Sequence, residues 1–150
     1  MKSIRNLVEG KEYITVQESD PVRHAAEVMA KNDIGAVPVL SHSTGELVGI
    51  ISERDLLKRV IVTGLSLDAT KIGEVMTTEL LSTDIDESTE VCMAIMKHNR
   101  VRHLVVTKSG TCMGMLSMRD LMHAEVNEKL EQIEALQEYI TGKPLIRDKK

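Results

Sequence analysis

The chain has 150 residues, 42% of them hydrophobic, with 19 Lys and Arg against 23 Asp and Glu and a formal charge of −4. There is no basic stripe, Phe and Trp are absent, and Tyr13 and Tyr139 are the only aromatics, which excludes duplex and single-stranded nucleic acid as partners. No apolar run approaches the roughly 20 residues that span a bilayer, and no apolar stretch follows the N-terminus as a signal peptide requires, so the sequence reads as a cytoplasmic protein without a membrane anchor.

The elements come in a recognisable order. After an N-terminal segment, residues 1–9, Tyr13 to Val16 reads as a short strand. Asp20-Pro21 signals a helix start with Pro at the first helical position. Apolar residues at 22, 25, 26, 28 and 29 give that helix one buried face. Two apolar strands follow, Ile34 to Val39 and Leu47 to Ile51, joined by a turn containing Gly45. A second helix begins at Ser52. Residues 63–73, polar and with two Gly, read as a linker, although Lys71 to Met76 has the pattern of a helical turn.

The same order then returns. Leu80 to Thr83 reads as a strand, and the apolar positions 91, 92, 93, 95 and 96 as a helix face. Val101 to Val106 and Cys112 to Leu116 read as strands around Gly110, and a helix begins at Ser117. Gly49-Ile-Ile-Ser-Glu-Arg-Asp55 matches Gly114-Met-Leu-Ser-Met-Arg-Asp120 in Gly, Ser, Arg and Asp, 65 residues later. Upstream of the strand-joining turn the offset is 67, and the two-residue difference falls in that turn, where insertions belong. The fold class is therefore α/β (α+β): two β-α-β-β-α repeats, residues 10–62 and 74–126. Each is too small to bury a sufficient core alone, so the two should pack face to face.

Residues 127–150 form a tail. From Met122 to Ile140, Val126, Leu130, Ile133, Leu136 and Ile140 recur at helical spacing among Glu, Gln and Lys, and Gly142 and Pro144 stop the pattern. Such a stripe needs a cover, either on its own module or across a homodimer. Arg147 to Lys150 should fray.

The shared word carries the chemistry. A strand ends and a helix begins at once, so unpaired N–H groups and the positive end of the helix dipole face outward, an arrangement suited to phosphate. Arg54 and Arg119 lie in the first turn and add charge. Asp55 and Asp120 can accept hydrogen bonds from adjacent ribose hydroxyls. The competing reading is a plain capping box, with Ser52 or Ser117 as N-cap and the acid three residues on. The two roles are compatible.

With Ile34-Gly-Ala-Val-Pro-Val39, Val101-Arg-His-Leu-Val-Val106, Glu74-Val-Met-Thr77 and the repeated Gly-x-x-Ser-x-Arg-Asp-Leu, the chain resembles a tandem CBS domain pair, a Bateman module, over about residues 10 to 126. The resemblance implies pseudo-twofold symmetry, sheets packed together and two clefts that hold adenosine compounds: AMP, ADP or ATP, and less readily NAD(H) or S-adenosylmethionine. It implies that the Asp55 cleft borrows Val101, Arg102 and His103, and that the Asp120 cleft borrows Thr15, Ile34, Ala36 and Val37. With Arg102 and His103 assigned to it, the Asp55 cleft ranks as the better phosphate site. Adenine would be held by aliphatic side chains and backbone amides.

Other readings are plain. The five His lack helical zinc spacing and the two Cys lack Cys-x-x-Cys, so no metal is expected and both thiols should be reduced. The nine Met fit an adaptable core. No nucleophile elbow, phosphate loop or Ser or Cys with a base partner appears, so catalysis and a required cofactor are not expected. Two functions remain: a regulatory nucleotide sensor that signals to an effector protein not named by the sequence, or a ligand-free dimeric interaction module.

Overall fold

A computed structural model describes residues 2–10 and 12–142. A short helix, α1 (Arg5–Val8), leads into β1 (Val16–Gln17), α2 (Val22–Asn32), β2 (Ala36–Leu40) and β3 (Leu47–Ser52). The helical turn α3 (Glu53–Asp55) follows and continues as a π-helix over Leu56–Ile61. A second leading helix, α4 (Ile72–Val75), opens the other half, with β4 (Ser82–Asp84), α5 (Thr89–Asn99), β5 (His103–Lys108), β6 (Thr111–Ser117) and α6 (Met118–Thr141).

The sheets repeat each other in register. Both have three strands, with the first pair parallel and the second antiparallel. Val16 pairs with Val39 as Thr83 does with Val106, and Val37 pairs with Ile51 as Leu104 does with Leu116. Val37, Val39, Leu104 and Val106 enter the two hydrophobic cores. Their neighbours Ala36, Pro38 and Val105 are also buried, and by the two-residue period of a strand they face the other way. Burial on both faces explains why these runs are continuously apolar. β2 of one sheet meets β6 of the other.

The leading helices cross over. Ile4, the N-cap of α1, and Val8 within it are buried with Ile85, Cys92, Met96 and Leu104, in the second repeat's core. Ile72 and Val75 of α4 are buried with Val22, Val37 and Ile51, in the first. Backbone bonds fix both arms: Ile4 N donates to Glu87 O at 2.9 Å, and Ile72 N donates to Asp20 O at 2.9 Å. Burying each such side chain contributes about 1.5–3 kcal/mol, so each arm is a substantial tie between the halves.

Three local expectations shift. The strand expected at Tyr13 to Val16 begins at Val16, where pairing with Val39 starts, and Tyr13 instead donates from its hydroxyl to Cys112 O at 3.3 Å. Pro21 is the N-cap of α2, not its first helical residue, with ψ 150° holding it extended. The helix after Ser52 widens: Val62 N donates to Leu57 O at 3.0 Å, a five-residue span. Thr63 Oγ1 occupies Arg59 O at 2.6 Å, a carbonyl that a tighter helix would give to its own amide.

The helix expected from Met122 to Ile140 is α6, continuous with the second repeat and closed by Gly142 at φ 65°. Pro144 and Arg147 to Lys150 lie outside the described residues. Met122, Val126, Leu130, Ile133, Leu136 and Ile140 are all at least half exposed on this chain. No described helix is long and apolar enough to cross a membrane.

Candidate functional site

Both Ser-x-x-Asp turns form capping boxes. Asp55 N donates to Ser52 Oγ at 3.2 Å, and Ser52 N donates back to Asp55 Oδ2 at 3.0 Å. In the second repeat the same two bonds measure 3.1 and 2.9 Å, between Ser117 and Asp120. Each box satisfies two otherwise orphaned N–H groups. The next helical amide is also taken: Glu53 N donates to Gly35 O and Met118 N to Arg102 O, at 3.0 and 2.8 Å. Capping thus uses one carboxylate oxygen per repeat, and any ligand chemistry falls to the other.

The other oxygens differ. Asp55 Oδ1 accepts from the Thr77 hydroxyl at 3.1 Å and faces Arg59 Nε at 3.8 Å, and the side chain is buried. Asp120 is exposed, and no described residue donates to its Oδ1.

The glycine of the repeated word makes room for the crossed arms. A Cβ on Gly49 would stand 2.7 Å from Met76 Sδ and 2.9 Å from Thr77 O. One on Gly114, whose φ is 153°, would stand 3.1 Å from Val8 Cγ1. Beside Gly114 lies a recess of about 130 Å³, lined by Leu7, Val8, Glu12, Tyr13, Met113, Met115 and Asp120. Tyr13 therefore joins a wall for which the sequence offered aliphatic side chains alone. Burial, with Cys112 adjacent, pushes the Tyr13 hydroxyl pKa up.

Arg102 and His103 border the Asp120 turn of their own repeat: His103 pairs with Ser117 across β5 and β6, and Arg102 O holds Met118 N. Burial lowers the His103 pKa, and Asp120 and then Glu53 oppose that fall, so His103 senses carboxylates from both repeats. Val101 packs at the edge of the second core. Ala36 pairs with Ser52 and so lies beside the Asp55 turn; Ile34 and Val37 belong to the first core, and Thr15 is half-buried just before β1. Arg54 and Arg119 are exposed.

Sequence reasoning passed over Thr77, Arg59 and Tyr13. Arg59 carried a usable signal, because it stands four residues after Asp55 on a helix. Cys92 and Cys112 are free thiols. Among the described residues no three His, Cys, Asp or Glu side chains gather as a metal would need.

Comparison with known proteins agrees with this architecture. The sequence model of the CBS domain matches residues 5–62 and 72–127. The mitochondrial CBS domain-containing protein CBSX3 of Arabidopsis thaliana is 35% identical over 145 residues, covering 95% of this chain and 70% of that protein. A solved CBS-domain protein from Burkholderia ambifaria is 30% identical with a TM-score of 0.78, covering 84% of this chain and 95% of its own. A CBS domain protein from Pyrobaculum aerophilum, solved in complex with AMP, is 26% identical with a TM-score of 0.70, over 79% of this chain and 88% of its own.

Proposed function

This chain belongs to the CBS domain family as a paired regulatory module, and we propose that it senses an adenosine nucleotide held at the Ser-x-x-Asp turns. AMP, ADP and ATP are the first candidates, with NAD(H) and S-adenosylmethionine behind them. Asp55 and Asp120 would take the ribose hydroxyls. Ser52, Arg54, Ser117, Arg119, Arg102 and His103 would serve the phosphate side, and Thr15, Ile34, Ala36, Val37 and Val101 the apolar walls. The observation that carries the reading is the spare oxygen of Asp120, set at a helix N-terminus beside an open recess. The AMP held by the Pyrobaculum relative supports the ligand class.

The test is thermal melting of protein stripped of ligand, with AMP, ADP, ATP, NAD, NADH and S-adenosylmethionine added singly. Ligand at 100 times its dissociation constant stabilises by about 2.7 kcal/mol, roughly 5–10 °C for a chain of this size. One ligand should produce that shift, and no shift with any of them removes the sensor reading.

A second reading, a ligand-free dimeric interaction module, has its own support. Leu57 and Ile61 are exposed at positions equivalent to Met122 and Val126, so both repeats present an apolar helix face. We read these faces as homodimer surfaces, compatible with sensing, from which an effector protein would receive the signal. The cytoplasmic placement belongs to this proposal and rests on the two free thiols.

A further inference from the structure

We propose that the two clefts differ in kind: the Asp55 cleft is latched by the chain's own second arm, and the Asp120 cleft is the one that takes ligand. The inference rests on the adenosine reading above and adds which site answers first and what holds the other shut.

The arms align by what they touch. Val8 lies over Gly114 as Met76 lies over Gly49, but the arms end differently: the first closes its helix at Glu9, whose N donates to Arg5 O, and the second at Met76, whose N donates to Ile72 O, so Thr77 is already past the helix and bridged to Ile50. Thr77 has a hydroxyl and gives it to Asp55 at 3.1 Å. The corresponding stretch of the first arm makes no such bond to Asp120 among the described residues, and Glu9 pairs with Arg5 at 3.2 Å. The helices diverge in the same sense. Four residues beyond Asp55 stands Arg59, whereas four beyond Asp120 stands Ala124.

Arg59 closes the latch from both sides. Its Nε faces Asp55 at 3.8 Å, while its Nη1 donates to Val75 O and Met76 O at 3.1 and 3.0 Å. The arm is also bridged to β3, with Thr77 N to Ile50 O at 2.8 Å and Ile50 N to Thr77 O at 2.9 Å. Among the described residues no such bridge joins the first arm to β6. A ribose at Asp55 would have to displace Thr77 and Met76, and affinity falls by the fraction of time the cleft stands open. A ribose at Asp120 meets an uncommitted oxygen, with Arg102, His103 and Arg119 close by.

Calorimetric titration with AMP decides this. The wild-type chain should bind one AMP. Asp120→Asn should weaken binding at least about tenfold, the effect of losing a charged hydrogen bond, while Ser117 remains the N-cap of α6 and the Asn oxygen can still accept from Ser117 N. Thr77→Val combined with Arg59→Met should unlatch Asp55 and raise the stoichiometry to two. Two AMP per wild-type chain, binding untouched by Asp120→Asn, or a folded unlatched variant that still binds one, would each overturn the inference while leaving the adenosine reading intact. If the unlatched variant does not fold, the first two measurements decide. Absence of AMP binding in wild type and every variant overturns the inference together with the AMP form of the reading beneath it.

Discussion

The hydroxyl of Thr77 donates to Oδ1 of Asp55 at 3.1 Å, joining the leading arm of one repeat to the helix start of the other. The acceptor is a buried carboxylate whose remaining oxygen already serves the cap. Thr77→Val keeps the shape and removes the donor. It should cost about 1.5–3 kcal/mol, the usual range for a hydrogen bond to a charged group. Urea denaturation measures this, and a loss under 0.5 kcal/mol, on the order of ordinary surface substitutions, would show that the bond contributes little.

Gly49→Ala should destabilise by about 1–3 kcal/mol, since the new methyl meets both Met76 Sδ and Thr77 O. The two contacts are separable. Met76 is a flexible side chain that can swing aside, whereas Thr77 O is backbone held by the bridge to Ile50. Adding Met76→Ala to Gly49→Ala should therefore leave most of the loss in place. Full recovery in the double variant would mean that the sulfur, not the arm's backbone, requires glycine here.

His103 gives a pH test with a definite sign. Burial lowers its pKa first, Asp120 and Glu53 oppose that, and Arg102 adds to it. The folded protein then takes up this proton less readily than the unfolded chain. The resulting stability is complete above the unfolded value of about 6.5 and declines as pH falls toward the folded-state value. Imidazole titration by NMR should give a midpoint below 6.5, and Asp120→Asn should move it lower still. A midpoint at or above 6.5 in wild type contradicts this.

Much of the repeat is legible in the amino-acid order alone. The unbroken apolar runs around Val37 and Val105 fit strands covered on both faces, and the shift of offset at the Gly45 and Gly110 turns fixes the alignment of the two halves. Capping by Ser52 and Ser117 is equally legible, since Ser-x-x-Asp is local chemistry. The crossed arms are not. Ile4 with Val8, and Ile72 with Val75, are pairs too short to show a period, and the partners of Ile4 and Val8 lie more than a whole repeat away in sequence. The separation of 22 positions from Asp55 to Thr77 hides that pair in the same way. The π-helix after Asp55 is hidden differently, because it depends on where the Thr63 hydroxyl turns.

The apolar stripe of α6 yields the last prediction. Val126, Leu130 and Ile133 are each about half exposed or more, with 55%, 54% and 50% of their surface open to water on the single chain. Two to three heptads are too few to hold an isolated coiled coil, so the stripe needs a broader surface alongside it. Leu57 and Ile61, exposed at positions equivalent to Met122 and Val126, extend the apolar area onto the first repeat. A twofold dimer would place these faces against their own copies, the isologous arrangement that most homodimers adopt. Sedimentation equilibrium should give a dimer for the wild type. Val126→Glu with Ile61→Glu should give a folded monomer, because both positions already face water on one chain and the new charges disturb only an interface. A wild-type monomer at tens of micromolar would remove the dimer, and a dimer that survives both charges would place its interface elsewhere on the molecule.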